Sequence, residues 1–477
     1  MLATSEITDR LADGLAAVHS RGAMSTAALE DWLSSISARE LLQVDQAARS
    51  WRYGNTLGPS STWNPRALRQ SGPVGAALAS MHDDGHVREA AVHLLSQLDA
   101  VLADRMLAAR LSDHVRPVRE AAVKALLGRT SLAQADHIMP VLQLIEGRVR
   151  GAEVLPLYLH ALSAVHGEAA LWSRLRLSTS REVRRAAFKQ SLINGLLVTG
   201  DAVAALSREH DRVVQSLLAR SIADTAAPDV IASALLHDRS PHSRVLGLVR
   251  LSADLLQPAD VERLLVDPGE LVRMWARQRW QEQGRDTLAV YRAATQMSGP
   301  ARMRARAYRG LVEAGGSVDH TVVLDLVRSA EPPLQKAGLR LLANDTQATD
   351  APLLLHTLRT GTARVARLAS EALLEVPSAW SDDDLWPLTT SAAPELRRRA
   401  WWLKRGRSGW DETIADLEIM LDDDPDLAAL GRNMAMPQFA LPTESQRSQL
   451  LDLLPQVWPS NWRSSRVAFA AGLREDA

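Results

Sequence analysis

One phrase, repeated at a nearly fixed interval, constrains this chain more than anything in its composition. A small or apolar residue is followed by Arg, and three residues after the Arg comes Ala or Gly. It reads Val87-Arg88 with Ala91, Val118-Arg119 with Ala122, Val183-Arg184 with Ala187, Ser243-Arg244 with Gly247 and Val272-Arg273 with Ala276. It continues as Met303-Arg304 with Ala307, Leu334-Gln335 with Gly338, Val365-Ala366 with Ala369, Leu396-Arg397 with Ala400 and Leu427-Ala428 with Gly431. Weaker copies at Val149-Arg150 and Val214-Gln215 fill the gaps. Taking the second residue of each phrase as its anchor, successive anchors lie 29 to 34 residues apart, and most lie 31 apart. An interval of about 31 holds two helices of roughly 11 to 13 residues and two tight turns. One such hairpin cannot bury its own apolar face, so the units must stack.

The columns of the repeat say which way each residue faces. The position before the anchor and those three and six after it are mostly Val, Leu, Ala or Gly, a single buried helical stripe. The small residue three after the anchor leaves room for the paired helix. Four positions before the anchor stand Asp84, Ser180, Asp211, Ser240, Thr362 and Asp424, side chains that accept from the free amides of a helix start. Each anchor therefore sits in the first turn of the second helix of its unit. Pro241, Pro268, Pro300 and Pro332 punctuate the turns before it.

This phrase resembles the HEAT-repeat family, in particular its short bacterial form, over roughly residues 67 to 436. Several copies lack the Asp, and Ala366 and Ala428 replace the Arg. The resemblance implies an all-α chain, a right-handed α-solenoid of about twelve two-helix repeats whose second helices line a concave surface, and a usual role in binding protein. Residues 1–66 are expected to be an N-terminal helical cap, with a capping box at Ser37 and Glu40. Residues 67–436 then form the array. Residues 437–477 form a C-terminal cap, opened by Thr443 with Gln446 and divided by Pro455 and Pro459 from a last helix ending near Leu473. The stretch from Asn55 to Pro65 reads as a polar loop.

Composition narrows function mainly by exclusion. The chain has no cysteine, so disulfides, thiolate zinc sites, iron–sulfur clusters and cysteine nucleophiles are all excluded. Residues 1–14 lack the basic start and apolar core of a secretory signal, and no run of about 18 apolar residues exists to span a bilayer. A cytoplasmic location is the expectation. Net charge is −1, which argues against a globally basic nucleic-acid binder unless charge is segregated by face. Arginine supplies all but four of the 55 cationic side chains, the exceptions being Lys124, Lys189, Lys336 and Lys404. Arginine is the better fork for carboxylate and phosphate.

The column five after the anchor is mostly polar and should face solvent: His93, Lys124, Leu155, Lys189, Arg220, Val249, Gln278, Arg309, Arg340, Glu371, Trp402 and Asn433. One after the anchor stand Arg185, Lys336, Arg367 and Arg398, against Glu89 and Glu120. Together with the anchors these columns trace a basic ridge along the second helices. Two readings of the anchor arginines stand side by side, pairing with turn acids of their own or a neighbouring unit, and presentation to a partner. The cluster Arg397, Arg398, Arg399, Lys404, Arg405 and Arg407 meets Asp411, Glu412, Asp416, Glu418, Asp422, Asp423, Asp424 and Asp426, a pattern that suits pairing between adjacent repeats. Trp401 falls in an apolar column and is expected in the core. Trp402 falls in the polar column and is expected on the surface beside Arg398 and Arg405, the composition of a binding hot spot.

The candidate partner-binding residues are therefore Arg185, Arg220, Arg273, Arg304, Arg309, Arg340, Arg367, Arg398, Trp402 and Arg405. Histidine offers two groups near acids, His82 to His93 and His237 to His242, neither with metal-ligand spacing on one helix face. The HEAT-like deoxyhypusine hydroxylases bind iron through His-Glu pairs, and no His-Glu dipeptide occurs here. The HEAT-like alkylpurine DNA glycosylases use a basic concave face bearing Trp and an acid, a loose likeness with no motif that carries over. Phosphate-binding Gly loops and nucleophile elbows are absent. The expectation is a non-catalytic protein-binding scaffold or adaptor without metal or cofactor, holding a protein with an acidic surface. A nucleic-acid-binding protein or glycosylase-like enzyme is the alternative, and a lyase or other enzyme on the same fold is the third.

Overall fold

The structure, a computed structural model, describes residues 7, 9–13, 16, 23–49, 57, 59–147, 153–407, 409–433, 440–459 and 462–473. Among these every regular element is a helix, with short 3-10 turns between and no strand. The chain is all-α, as the repeat requires. It divides into two compact units, Met1–Arg250 and Leu251–Ala477, a boundary the repeat spacing does not mark.

In the first unit the helices pair in the order the repeat predicts. Gly72–Ser80 packs on Gly85–Leu95, Val101–Arg110 on Arg116–Leu127, Thr199–Arg208 on Arg212–Thr225 and Pro228–Leu235 on Pro241–Arg250. First helices also pack on first helices, as Val101–Arg110 does on Gly72–Ser80 and on Leu132–Ile145. Second helices pack on second helices, Arg116–Leu127 on Gly85–Leu95 and Arg212–Thr225 on Arg181–Ile193. The second unit follows the same plan. Pairs form from Thr287–Gln296 with Ala301–Glu313, His320–Arg328 with Pro332–Leu342, Ala351–Thr360 with Ala363–Leu374, and Asp382–Thr389 with Pro394–Arg405. Its second helices Ala301–Glu313, Pro332–Leu342, Ala363–Leu374 and Pro394–Arg405 pack each on the next.

The start signals work as their chemistry dictates. Asp84, Ser180, Asp211 and Asp424 accept amide hydrogen bonds at helix starts, and Ser37 with Glu40 and Thr443 with Gln446 close capping boxes. Thr362 precedes its helix without a side-chain cap. Prolines sit in first turns, where a missing N–H costs nothing. Pro455 lies inside the helix Glu444–Val457 rather than ending it.

The buried stripe runs at the position before the anchor and at three and seven after it in most copies, as Val118, Ala122 and Leu126 show, while the sixth position is buried in the copies carrying Gly310, Ala372 and Leu403. The small residue of the third position does admit the partner helix. A Cβ on Gly338 would lie 2.7 Å from the Val327 backbone nitrogen, so only glycine lets the two helices approach this closely. One copy departs from its assigned phase. The anchor Arg150 lies outside the described residues, and the buried stripe of Val154–His166 is Val154, Tyr158 and Leu162. Leu155 thus takes the place of an anchor and is buried, not solvent-facing.

The anchors build a ladder. At seven anchors the turn residue six before has a carbonyl that accepts from the anchor side chain: His82 from Arg88, Asp113 from Arg119, Ser178 from Arg184, Glu209 from Gln215, Asp238 from Arg244, Asp267 from Arg273 and Ser391 from Arg397. The side chain of the same turn residue accepts from the amide two further on, as Asp113 does from Val115 and Asp422 from Asp424. Where that residue is acidic, its carboxylate can also receive the anchor of the preceding repeat. Arg88 reaches Asp113, Arg184 reaches Glu209, and Arg397 reaches Asp422. Each such arginine is satisfied by carbonyls on one side and a carboxylate on the other, which is what a buried guanidinium requires.

The ladder continues into the N-terminal helices. Asp45, on Ala38–Ala48, pairs with Arg49 and with fully buried Arg110, whose Nη1 lies 3.5 Å from Asp113. Arg105 donates to the carbonyls of Leu33 and Ile36 at the end of Ala23–Ser35, and burial pulls its guanidinium down to about 10. No helix among the described residues is long and apolar enough to cross a membrane.

Candidate binding surface

In the middle of the second unit the ladder runs out of acids. Six residues before the anchors 304, 335 and 366 stand Ser298, Ser329 and Thr360. Arg273, with no acid in the next turn, turns instead to Glu313 on the following second helix, with Nε 2.9 Å from the carboxylate. Arg277 shares that carboxylate at 2.8 Å. Burial opposes the charge on Glu313, but these two arginines hold its carboxyl below the usual glutamate range. Among the described residues Arg304 reaches only Glu331, at 3.4 Å, and the next two anchors are the uncharged Gln335 and Ala366.

Here the second helices leave cations over. A groove of about 800 Å³ runs along Ala301–Glu313, Pro332–Leu342 and the start of Ala363–Leu374. Six cationic side chains line it, Arg302, Arg306, Arg309, Lys336, Arg340 and Arg364, and its one acid, Glu313, is already taken by Arg273 and Arg277. None of the six has a carboxylate within 4 Å among the described residues. Arg340 lies at the centre. Its own partial burial, and then the charges of Arg309 and Arg364, hold its guanidinium below the usual arginine range, with Glu371 acting weakly the other way. Prolines and small apolar residues, Pro332, Pro333, Ala305 and Ala337, line it between the cations, and none of the lining residues is aromatic.

The residues expected to bind a partner separate on this evidence. Arg309 and Arg340 line the groove together. Arg273 does not belong to a surface at all, since its side chain is fully buried in the ladder. Arg304 is half-buried and also engaged as an anchor. Arg185 forks onto Asp211 at 2.8–3.1 Å, which raises its own affinity for the proton and lowers that of Asp211. Arg220 is exposed beside Arg212, Ser216 and Leu217 in the first unit. Arg367 is exposed and forms a helical pair with Glu371 at 2.8 Å. Lys336 stands in the ridge columns, Arg302 and Arg306 fall in the arginine-dense window from Arg273 to Arg309 that suits an acidic partner, and Arg364 lies outside both. Arg302 and Arg364 share the position two before the anchor, a column that points to the same face once aligned.

The charge reversal after Arg397 is internal pairing. Arg397 forks onto Asp422, Lys404 meets Glu418 at 2.8 Å, Arg405 meets Glu412 at 2.7 Å and Asp416 at 3.1 Å, and Arg407 reaches Asp382 at 2.6 Å. Arg405 is therefore held inward, over the Trp401 ring, and is not a free cation beside Trp402. Trp401 is half-buried rather than fully in the core, and its indole N–H donates to Asp416 at 2.9 Å. Burial pushes the Asp416 carboxyl up, against the pull of Trp401 and Arg405. Trp402 is 39% exposed, as its column requires, and Arg398 is exposed four residues before it. Trp386 is more exposed still, at 67%, on a first helix where the second-helix columns gave no signal.

The histidine groups serve turns. His82 is buried and accepts from the Asp84 amide at 2.9 Å, and His242 lies 3.0 Å from the Ser216 hydroxyl. Among the described residues no three His, Asp or Glu side chains gather as metal ligands would.

No family description matches the chain, and no curated protein matches it. Among solved structures, an engineered protein is 18% identical, with 84% of this chain and 99% of that one covered, at a TM-score of 0.17. A structure of microtubule polymerases with tumor overexpressed gene domain arrays, described for tubulin recruitment and assembly, is 11% identical over 90% of this chain and 99% of that one, at a TM-score of 0.20. At such identities and TM-scores neither likeness bears on fold or site.

Proposed function

We propose that the protein is a non-catalytic cytoplasmic scaffold that holds an acidic protein partner in the basic groove of its second unit. In this reading each unit is a stretch of right-handed α-solenoid, about twelve HEAT-like repeats in all, and the groove lies on the concave second-helix face. The carrying observation is the set of six cations, Arg302, Arg306, Arg309, Lys336, Arg340 and Arg364, that converge on one groove without carboxylate partners. Like charges gathered this way repel one another, and nothing in the ladder requires them. An anionic partner relieves that repulsion and gains steering by the same field. The absence of aromatic lining favours a protein over single-stranded nucleic acid, which relies on stacking platforms.

The test is fluorescence anisotropy with the full chain, a labelled polyglutamate peptide and a labelled duplex DNA, at low and moderate salt. The reading predicts saturable peptide binding that is lost when Arg309, Lys336 and Arg340 are changed to Glu, with the helical content unchanged. DNA bound more tightly than the peptide, with a steep salt slope through the same residues, would favour the nucleic-acid alternative.

A further inference from the structure

The cations of the groove are not spread evenly. Arg309, Arg340 and Arg364 come from three consecutive second helices, and Arg340 feels the charges of the other two. Three planar forks from separate elements thus face a common space of about 800 Å³, within the range of small-ligand and side-chain pockets. A glutamate side chain brings one charge and two oxygens to such a point. A phosphomonoester brings nearly two charges and three strong acceptor oxygens, each able to take a guanidinium N–H. A single carboxylate would leave the cluster under-neutralised.

Resting on the acidic-partner reading above, we infer that Arg309, Arg340 and Arg364 form a receptor for a phosphomonoester carried on a side chain of the partner polypeptide. The remaining cations have a second task in this arrangement. Arg302, Arg306 and Lys336 line the same groove and take the acidic residues that flank the phosphorylated one. The uncharged lining residues Pro332, Pro333, Ala305 and Ala337 leave room for an extended backbone without competing for its charges. Glu313 stays out of the way because Arg273 and Arg277 hold it.

The experiment is isothermal titration calorimetry on the full chain with three nonapeptides of Gly, Ala and Glu that differ only at the centre: phosphoserine, serine or glutamate. Inorganic phosphate and a 5′-phosphorylated trinucleotide are the further probes. At pH 7.5 the phosphoserine peptide is expected to bind at least about ten-fold more tightly than either counterpart. Between pH 7.5 and 5.5 its affinity should fall several-fold, because the phosphate takes up its second proton near pH 6. No histidine lines the groove, so that loss belongs to the ligand. Arg309→Gln, Arg340→Gln and Arg364→Gln should each weaken it about ten-fold or more, and Arg340→Lys, which keeps the charge but not the fork, should also weaken it.

Equal binding of the phosphoserine and glutamate peptides, flat with pH, overturns the phosphate assignment and leaves the acidic-groove reading standing. Failure of all three peptides to bind overturns both. Inorganic phosphate or the trinucleotide binding as tightly as the phosphopeptide overturns the polypeptide as carrier. A thermal melt of each variant that matches the unsubstituted protein shows that lost binding is not lost folding.

Discussion

Arg88 and Asp113 meet as a two-point fork across neighbouring repeats, with Nε and Nη2 each 2.9 Å from a different carboxylate oxygen and both side chains fully buried. The remaining nitrogen of Arg88 donates to the carbonyls of His82 and Asp83, so the guanidinium ties its own turn to the next one. Removing Arg88 takes away the two-point fork but leaves Asp113 with Arg110 and Arg49, each 3.5 Å away, so its charge is not stranded. Arg88→Ala is expected to destabilise by about 2–3 kcal/mol in urea unfolding. The double variant with Asp113→Ala should cost less than the sum of the two single changes, and strict additivity would show that the pair is not coupled.

The ladder also sets the acid limit of the fold. Asp422 is held below the usual aspartate range by the hydrogen bonds of Arg397; in Asp113 burial opposes ionisation, but the hydrogen bonds from Arg88 and the Val115 amide prevail and its carboxyl is lowered too. The unfolded chain, with aspartates near 3.9, binds the more protons as pH drops below about 4. Stability from these pairs is full above that value and drains as pH falls through their lower folded values. Melting temperature should therefore drop between pH 6 and pH 3, and drop less in Asp422→Asn, which has no carboxylate to protonate. An equal drop in the variant would show that Asp422 takes no part.

Gly338 tests the close approach of paired helices. The added Cβ of Gly338→Ala meets main-chain atoms of Leu326 and Val327, which cannot swing aside as a side-chain tip could. The expected cost is about 1–3 kcal/mol despite the better helix propensity of alanine. A stabilised variant would mean that the helices are not in contact there.

Trp401 and Trp402 are neighbours with opposite duties. Trp401→Phe removes the indole donor from Asp416, a carboxylate that is 1% exposed, and should cost about 1–3 kcal/mol. Trp402→Ala removes a ring that is 39% exposed and should cost less than about 1 kcal/mol. Chemical denaturation of the two variants side by side settles which indole the fold depends on.

These differences mark how far the amino-acid pattern reached. The phase of the repeat placed the helices, most N-caps and the exposure of Trp402, because helical period and local capping are short-range physics. It could not separate ladder arginines from groove arginines. Arg273 and Arg309 are both arginines on second helices, yet the first is buried against Glu313 forty residues on and the second has no carboxylate within 4 Å among the described residues. That distinction follows the column: Arg273 is an anchor held by its own turn carbonyls, whereas Arg309 stands five after an anchor. Leu155 misled for a different reason. The copy holding it is displaced in phase, and only the observed helix start at Val154 shows this.

The claim that ladder and groove arginines do different work can be put to one measurement, the affinity of the full chain for a labelled polyglutamate peptide at low salt in two variants. Arg309→Glu with Arg340→Glu is predicted to weaken binding at least about ten-fold, while Arg397→Gln, which touches only the ladder, leaves affinity unchanged. Unaltered affinity in the groove variant would contradict the account.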